Sequence, residues 1–174
     1  MKQMWIWLLG AALGQMAWAQ SPAVSESALK SALFFKLPLF VYRAGEDRTR
    51  PLSVCLLGNG AYGPAFEKLA QSPIDGRAVR FSRLASVTEA TRCDFLFVSE
   101  SESTQLPAIL RHLATLPLVS VSDISGFARA GGMVELALGA PGAPVSILIN
   151  RQAAHQKDIE FNAQLLRLAK VVEP

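Results

Sequence analysis

Three groups of side chains in this chain have the types and spacing to do chemistry. The first is Gly58-Asn59-Gly60-Ala61-Tyr62-Gly63, a literal G-x-G-x-x-G placed where a strand should turn into a helix. In dinucleotide-binding folds such glycines bring the backbone up to a pyrophosphate at a helix N-terminus. The acid that would hold the ribose after the next strand is missing, and Phe81-Ser82-Arg83 stands in its place. Arg83 suits a 2′-phosphate, yet Pro64 removes one of the amide donors a phosphate needs. The run therefore reads as a turn whose glycines accept positive φ, with no nucleotide bound.

The second group is Ser120, Ser122 and Ser125. A nucleophilic serine would want a G-x-S-x-G elbow and a histidine in a recognisable relation to it, and neither is present. Ser122-Asp123 ahead of Ile124-Ser125-Gly126-Phe127 reads instead as a helix start capped by serine or aspartate. His112 and His155 lie far apart, and Asp158 near His155 finds no third ligand for a zinc site. No catalytic residue, metal or cofactor is expected. The third group is the pair Cys55 and Cys93, whose chemistry depends on the compartment.

Residues 1–19 set that compartment. Met1-Lys2 is a positive start, residues 4–13 are apolar, and Ala17-Trp18-Ala19 is an A-x-A site. That is the layout of a cleavable secretory signal. The apolar run falls short of the roughly 20 residues of a membrane span; the alternative would be a retained anchor. The mature chain is expected to begin at Gln20 and to be periplasmic, with no membrane insertion after cleavage. In an oxidising compartment an isolated pair such as Cys55 and Cys93 forms one disulfide. Its loop would contribute about 4 kcal/mol in the chain-entropy model. Two separate buried thiols are the alternative, because a bridge needs Cα atoms within about 7 Å. An accessible bridge would also be a redox handle.

Cleavage leaves about 155 residues, the size of one domain with a real core. The chain has 17 basic and 14 acidic residues, spread along its length. A nucleic-acid binder would gather a basic face interleaved with aromatics, so no such partner is expected. Residues 20–27 read as a flexible leader and 28–174 as the domain. Residues 27–37 form a helix stopped by Pro38, and 43–51 a charged loop. Strands follow at 52–57, 78–81, 94–98 and 116–121, alternating with helices at 64–70 and 106–114, the latter with Leu106, Leu110 and Leu113 on one face. This rhythm predicts a single three-layer α/β domain with a mainly parallel twisted sheet flanked by helices. Strands at 133–138 and 145–149, joined through Gly139–Pro144, add an antiparallel C-terminal hairpin. An amphipathic helix over 159–172, with Leu165, Leu166, Ala169 and Val172 inward, closes the chain.

Several stretches resemble the YfiR-like family of periplasmic proteins. They are residues 28–35, 52–63, Gly76-Arg77 and 93–99, then Val119-Ser120-Val121-Ser122-Asp123-Ile124-Ser125-Gly126-Phe127-Ala128 with Gly131-Gly132-Met133-Val134. Ile149-Asn150 and residues 165–169 complete a match over 28–172. The resemblance implies a regulator and no enzyme. Members inhibit a membrane-bound, YfiN-type diguanylate cyclase through that partner's periplasmic domain, lowering cyclic-di-GMP until redox or envelope stress relieves them. They also form homodimers. The chain departs from the family after the first helix, where Leu39-Phe40-Val41-Tyr42-Arg43 and a charged insert replace an aromatic-rich segment ending in Trp-Pro. The expected partner-binding segment is 122–133. Phe127 is its apolar anchor beside Asp123 and Arg129, with Ser122 and Met133 at its ends. The alternative makes Phe127 and Met133 core residues. A second function class, small-ligand binding at the C-terminal ends of the parallel strands, stays open.

Overall fold

The computed structural model describes residues 25–60, 62–139 and 145–173. The expected signal peptide, most of the leader and the turn at 140–144 lie outside them. The chain opens with α1 (Glu26–Lys36), a 3-10 turn (Leu37–Phe40) and β1 (Val41–Arg43). It continues through β2 (Leu52–Leu57), α2 (Tyr62–Leu69) and β3 (Val79–Leu84). A 3-10 turn (Val87–Arg92) leads to β4 (Phe95–Val98), and another (Glu100–Gln105) to α3 (Leu106–Leu113) and β5 (Val119–Ser122). Then come β6 (Val134–Leu138), β7 (Val145–Asn150) and α4 (Arg151–His155). The chain ends with β8 (Ile159–Phe161), α5 (Ala163–Leu168) and β9 (Lys170–Val172).

Seven strands form one sheet in the order β3-β2-β4-β5-β6-β7-β9. The first five run parallel, β6 and β7 form the antiparallel hairpin, and β9 lies parallel to β7. The chain steps from β2 outward to β3 in one direction and from β4 to β5 in the other. Right-handed crossovers in opposite directions put their helices on opposite faces, which gives three layers. Alternation along each strand feeds both. Val54, Leu56, Phe95, Phe97, Val119 and Val121 face α1 and α2. Cys55, Leu57, Leu96 and Val98 face α3 and the 3-10 turn before β4.

On the first face an aromatic cluster forms the centre. The Phe34 ring stacks on Phe66 at 5.0 Å, and Phe97 meets Phe34 and Phe66 edge-on at 5.4 Å each. All three rings are buried, and each is worth about 1.5–3 kcal/mol by area alone. These contacts explain why a helix of modest amphipathicity such as α1 stays on the sheet: Phe34 is its anchor.

The tail corrects the expectation of one helix over 159–172. Asn162 is extended, and its side-chain oxygen accepts from the Leu165 amide at 2.9 Å, so α5 starts there and residues 159–161 are not helical. Ile159–Phe161 instead pairs antiparallel with β1, Val41 opposite Phe161. After α5 the β-branched pair Val171-Val172 continues as β9. The inward stripe survives the change: Leu165 and Val172 are buried, and Leu166 and Ala169 pack against the core.

Candidate functional site

In open α/β sheets ligands bind where the strand order reverses, outside the C-terminal strand ends. Here that point lies between the loops after β2 and β4. Gly58 and Gly60 take φ of +98° and +138°, the turn geometry expected of them. The Asn59 amide donates to Ser101 Oγ at 2.9 Å, and Ser99 Oγ donates to the Asn59 carbonyl at 2.7 Å. A Cβ at Gly58 would meet Ser101 and Glu102 side chains. The two loops are thus bonded across the switch point. Arg83 donates to Glu67 at 2.9 Å and lies against Gly63, so its guanidinium is already engaged.

Next to this crossing, Tyr62 donates to Asp123 Oδ2 at 2.6 Å. Burial, then the hydrogen bond and charge of Asp123, push the Tyr62 hydroxyl far above the usual tyrosine range. The serines of β5 work for the backbone. Ser122 Oγ donates to the Val98 carbonyl at 2.7 Å and accepts from the Ile124 amide at 3.0 Å, and Ser120 Oγ accepts from the Met133 amide at 3.1 Å. The helix expected after Ser122 is absent, because residues 124–131 fold as successive turns.

The five residues expected to meet a partner divide sharply. Ser122 and Phe127 are 0% exposed and Met133 1%; Asp123 is half-buried and Arg129 exposed. In the segment 122–133, Phe127 is therefore a core side chain and no surface anchor. Gly132 sits directly against its ring, where a Cβ would collide. Glu135 on β6, 3% exposed, accepts from the Gly126 and Ala128 amides at 3.1 Å each. Asn150 Nδ2 donates to the Ala128 carbonyl at 2.9 Å. These bonds fix the turns onto the hairpin and leave Arg129, Ala130 and Gly131 at the surface.

The opposite end of the sheet holds a charge cluster that sequence reasoning missed. Asp94, just before β4, accepts from Arg50 at 2.8 and 2.5 Å, from Arg43 at 3.2 Å and from the Ser53 amide at 2.8 Å. Glu46 accepts from Arg43 at 2.7 Å and Arg77 at 2.6 Å. Burial alone would raise both carboxyls; the arginine hydrogen bonds and charges outweigh it and hold both below their usual range. The charged insert 43–51 is thus built into the fold. A lone acid heading the apolar run 94–98 was the available signal. Immediately beside Asp94, Cys93 is bonded to Cys55, with Cα atoms 6.0 Å apart. The bridge ties β2 to the entry of β4. Its two residues are 1% and 7% exposed, so it lacks the accessibility a redox handle needs.

Two hollows flank these regions. One of about 440 Å³ is lined by Arg43, Glu46, Asp47, Arg50, Lys157 and Asp158 at the charged end. Lys157 donates to the Leu113 carbonyl at 2.6 Å, and burial lowers its ammonium below the usual lysine range. The other, about 610 Å³, lies between α3 and the turns at Ala130-Gly131. Among the described residues no three His, Cys, Asp or Glu side chains converge to hold a metal, and no helix is long and apolar enough to cross a membrane.

A family model described as YfiR/HmsC-like matches residues 27–170. No curated protein matches the chain. Among solved structures, a conserved domain protein from Vibrio cholerae is similar at TM-score 0.59 with 11% identity, over 85% of this chain and 60% of that one. The ABC domain in complex with L-Trp from Streptococcus pneumoniae is similar at 0.54 with 13% identity, over 84% and 60%. The ligand-free, open structure of CD0873, a substrate binding protein with adhesive properties from Clostridium difficile, is similar at 0.53 with 11% identity, over 79% and 57%. The chain spans about 60% of the length of these structures, and at such identities the likeness is one of fold.

Proposed function

From a chain that belongs to the YfiR/HmsC-like family, we propose a periplasmic regulator that represses a membrane-bound diguanylate cyclase through that enzyme's periplasmic domain and so lowers cyclic-di-GMP. The observation that carries this reading is the family match across residues 27–170, nearly the whole described domain. The regulator is exported by a signal cleaved before Gln20, and it works by binding, without turnover. Within the segment 122–133, the exposed Arg129 meets the partner, while Ser122, Asp123, Phe127 and Met133 hold the segment in shape.

Deleting the gene should raise cyclic-di-GMP in cells that carry the cognate cyclase, and the purified mature chain should bind that cyclase's periplasmic domain in calorimetry. Unchanged cyclic-di-GMP in a strain whose cyclase is active would overturn the reading. N-terminal sequencing of the native protein should begin at or near Gln20; Met1 retained in the membrane fraction would overturn the export step.

A ligand-binding reading has one observation in its favour: solved neighbours include a substrate-binding protein and a domain complexed with L-Trp. The 440 Å³ hollow at the charged end, with its mixed cations and carboxylates, suits a small zwitterion. A molecule copurifying there would favour this reading.

A further inference from the structure

The arrangement of α3 differs from its expected face in a way that matters for partners. Ile109 and Leu113 enter the core, while Leu106 and Leu110 are left half-buried at its margin. With Ala114 they stand at i, i+4 and i+8, one ridge along the helix. Across the 610 Å³ hollow from this ridge lie Ala130 and Gly131 of the turn segment. Gly131 takes φ +112°, and nothing stands within 4 Å of where its Cβ would be, so its backbone faces open space.

We propose that this groove docks an amphipathic helix of a protein partner, with an aliphatic face toward Leu106 and Leu110 and carboxylates along its flank. The i±4 ridge of α3 is the surface into which another helix packs its own ridges. Small residues on the facing wall, Ala130 and Gly131, let a second backbone come close. A strand is not accommodated, because the wall's amides are already bonded: Ala130 N to the Gly126 carbonyl at 2.9 Å and Gly132 N to the Phe127 carbonyl at 2.9 Å. Arg111 lines the groove, Arg129 is exposed next to Ala130, and no carboxylate lines it among the described residues. Such a field favours an acidic partner and speeds its approach. The wall is also preorganised, since Glu135, Asn150 and the buried Phe127 ring hold the turns before any partner arrives. The identity of the partner as the cyclase's periplasmic domain rests on the function proposed above.

The test uses the mature chain and the purified periplasmic domain of the cyclase whose output rises on gene deletion. Ala130→Trp fills the groove from an exposed position, and the double variant Arg111→Glu/Arg129→Glu reverses its charge without touching the core. Each should keep the wild-type melting profile, bind at least tenfold more weakly and fail to restore low cyclic-di-GMP. Tyr42→Ala, on the β1–β8 ribbon and outside the groove's lining, should bind as wild type. A photo-crosslinker at position 130 should mark partner residues spaced three or four apart. If both groove variants bind and repress like wild type, the groove is overturned while the regulatory function stands. Crosslinks to an extended segment overturn the helical occupant. If the wild-type chain binds no such domain, both fall together.

Discussion

At the N-terminal end of the parallel strands, three arginines and two carboxylates close the sheet with buried charge, centred on Asp94 and Glu46. At the C-terminal end, the loops after β2 and β4 are joined by neutral hydrogen bonds among Asn59, Ser99 and Ser101, and the turns after β5 rest on the Phe127 ring. The difference teaches where each end is vulnerable. A buried ion cluster is strong only while every member keeps its charge, because losing one leaves the others unpaired. Where the loops are joined by neutral hydrogen bonds, little is lost with any one of them and much with the apolar support.

The largest effects should come from striking each end at its centre. Asp94→Ala leaves Arg50 facing no carboxylate and Arg43 with Glu46 alone, and should lower stability in urea unfolding by about 3–5 kcal/mol. Phe127→Ala should cost a similar ~3–5 kcal/mol by opening a cavity. The two should separate by pH. The Asp94 variant should approach the wild type in acid, where the native carboxyl is protonated anyway, while the Phe127 deficit stays constant. Parallel pH profiles for the two variants would erase the distinction between the ends.

Reducing the Cys55–Cys93 bridge should cost about 2–4 kcal/mol, since it releases the chain between β2 and β4 in the unfolded state. Thiol labelling of unfolded, unreduced protein should find no free cysteine, and two labelled cysteines would contradict the bridge.

The pH profile of the wild type should also show both ends. Glu46 and Asp94 have native carboxyls below their unfolded values of 4.5 and 3.8, so their contribution is complete above those values and is lost as pH falls further. Tyr62 lies on the other side. Its native hydroxyl is raised above the unfolded 10.0, so its contribution is complete below pH 10.0 and declines as the solution becomes more alkaline. In amide exchange, the Ser53 amide, bonded to Asp94, should lose protection first in acid. The smallest effect is Ser101→Ala, which removes one acceptor for the Asn59 amide at an exposed site and should cost about 0.5–1.5 kcal/mol or less.

How legible these features were in the sequence depended on range. The runs 52–57 and 94–98 read as buried parallel strands because they are apolar on both faces, and the cysteine pair followed from its isolation in a chain read as exported. The tail at 159–172 did not, because its apolar spacing suits a helix and two short strands alike. Asn162 and the pair Val171-Val172 decide it, together with an antiparallel partner, β1, more than a hundred residues away. The charge cluster was hidden for the same reason: residues 43, 46, 50, 77 and 94 meet only once the sheet has formed. Phe127 misled in another way. An aromatic ring among glycines suggests exposure, whereas here Gly132 is small so that the ring can lie beneath it.

The order of strands has one further effect. β3 and β9 form the two open edges of the main sheet, where unpaired amides and carbonyls invite strands from other molecules. Each edge is guarded by a cation. Arg80 projects from β3 and Lys170 from β9, both exposed, and β9 is only three residues long. Two copies meeting edge to edge at β3, or at β9, would bring like charges together along a short ladder, so the sheet resists growth into aggregates.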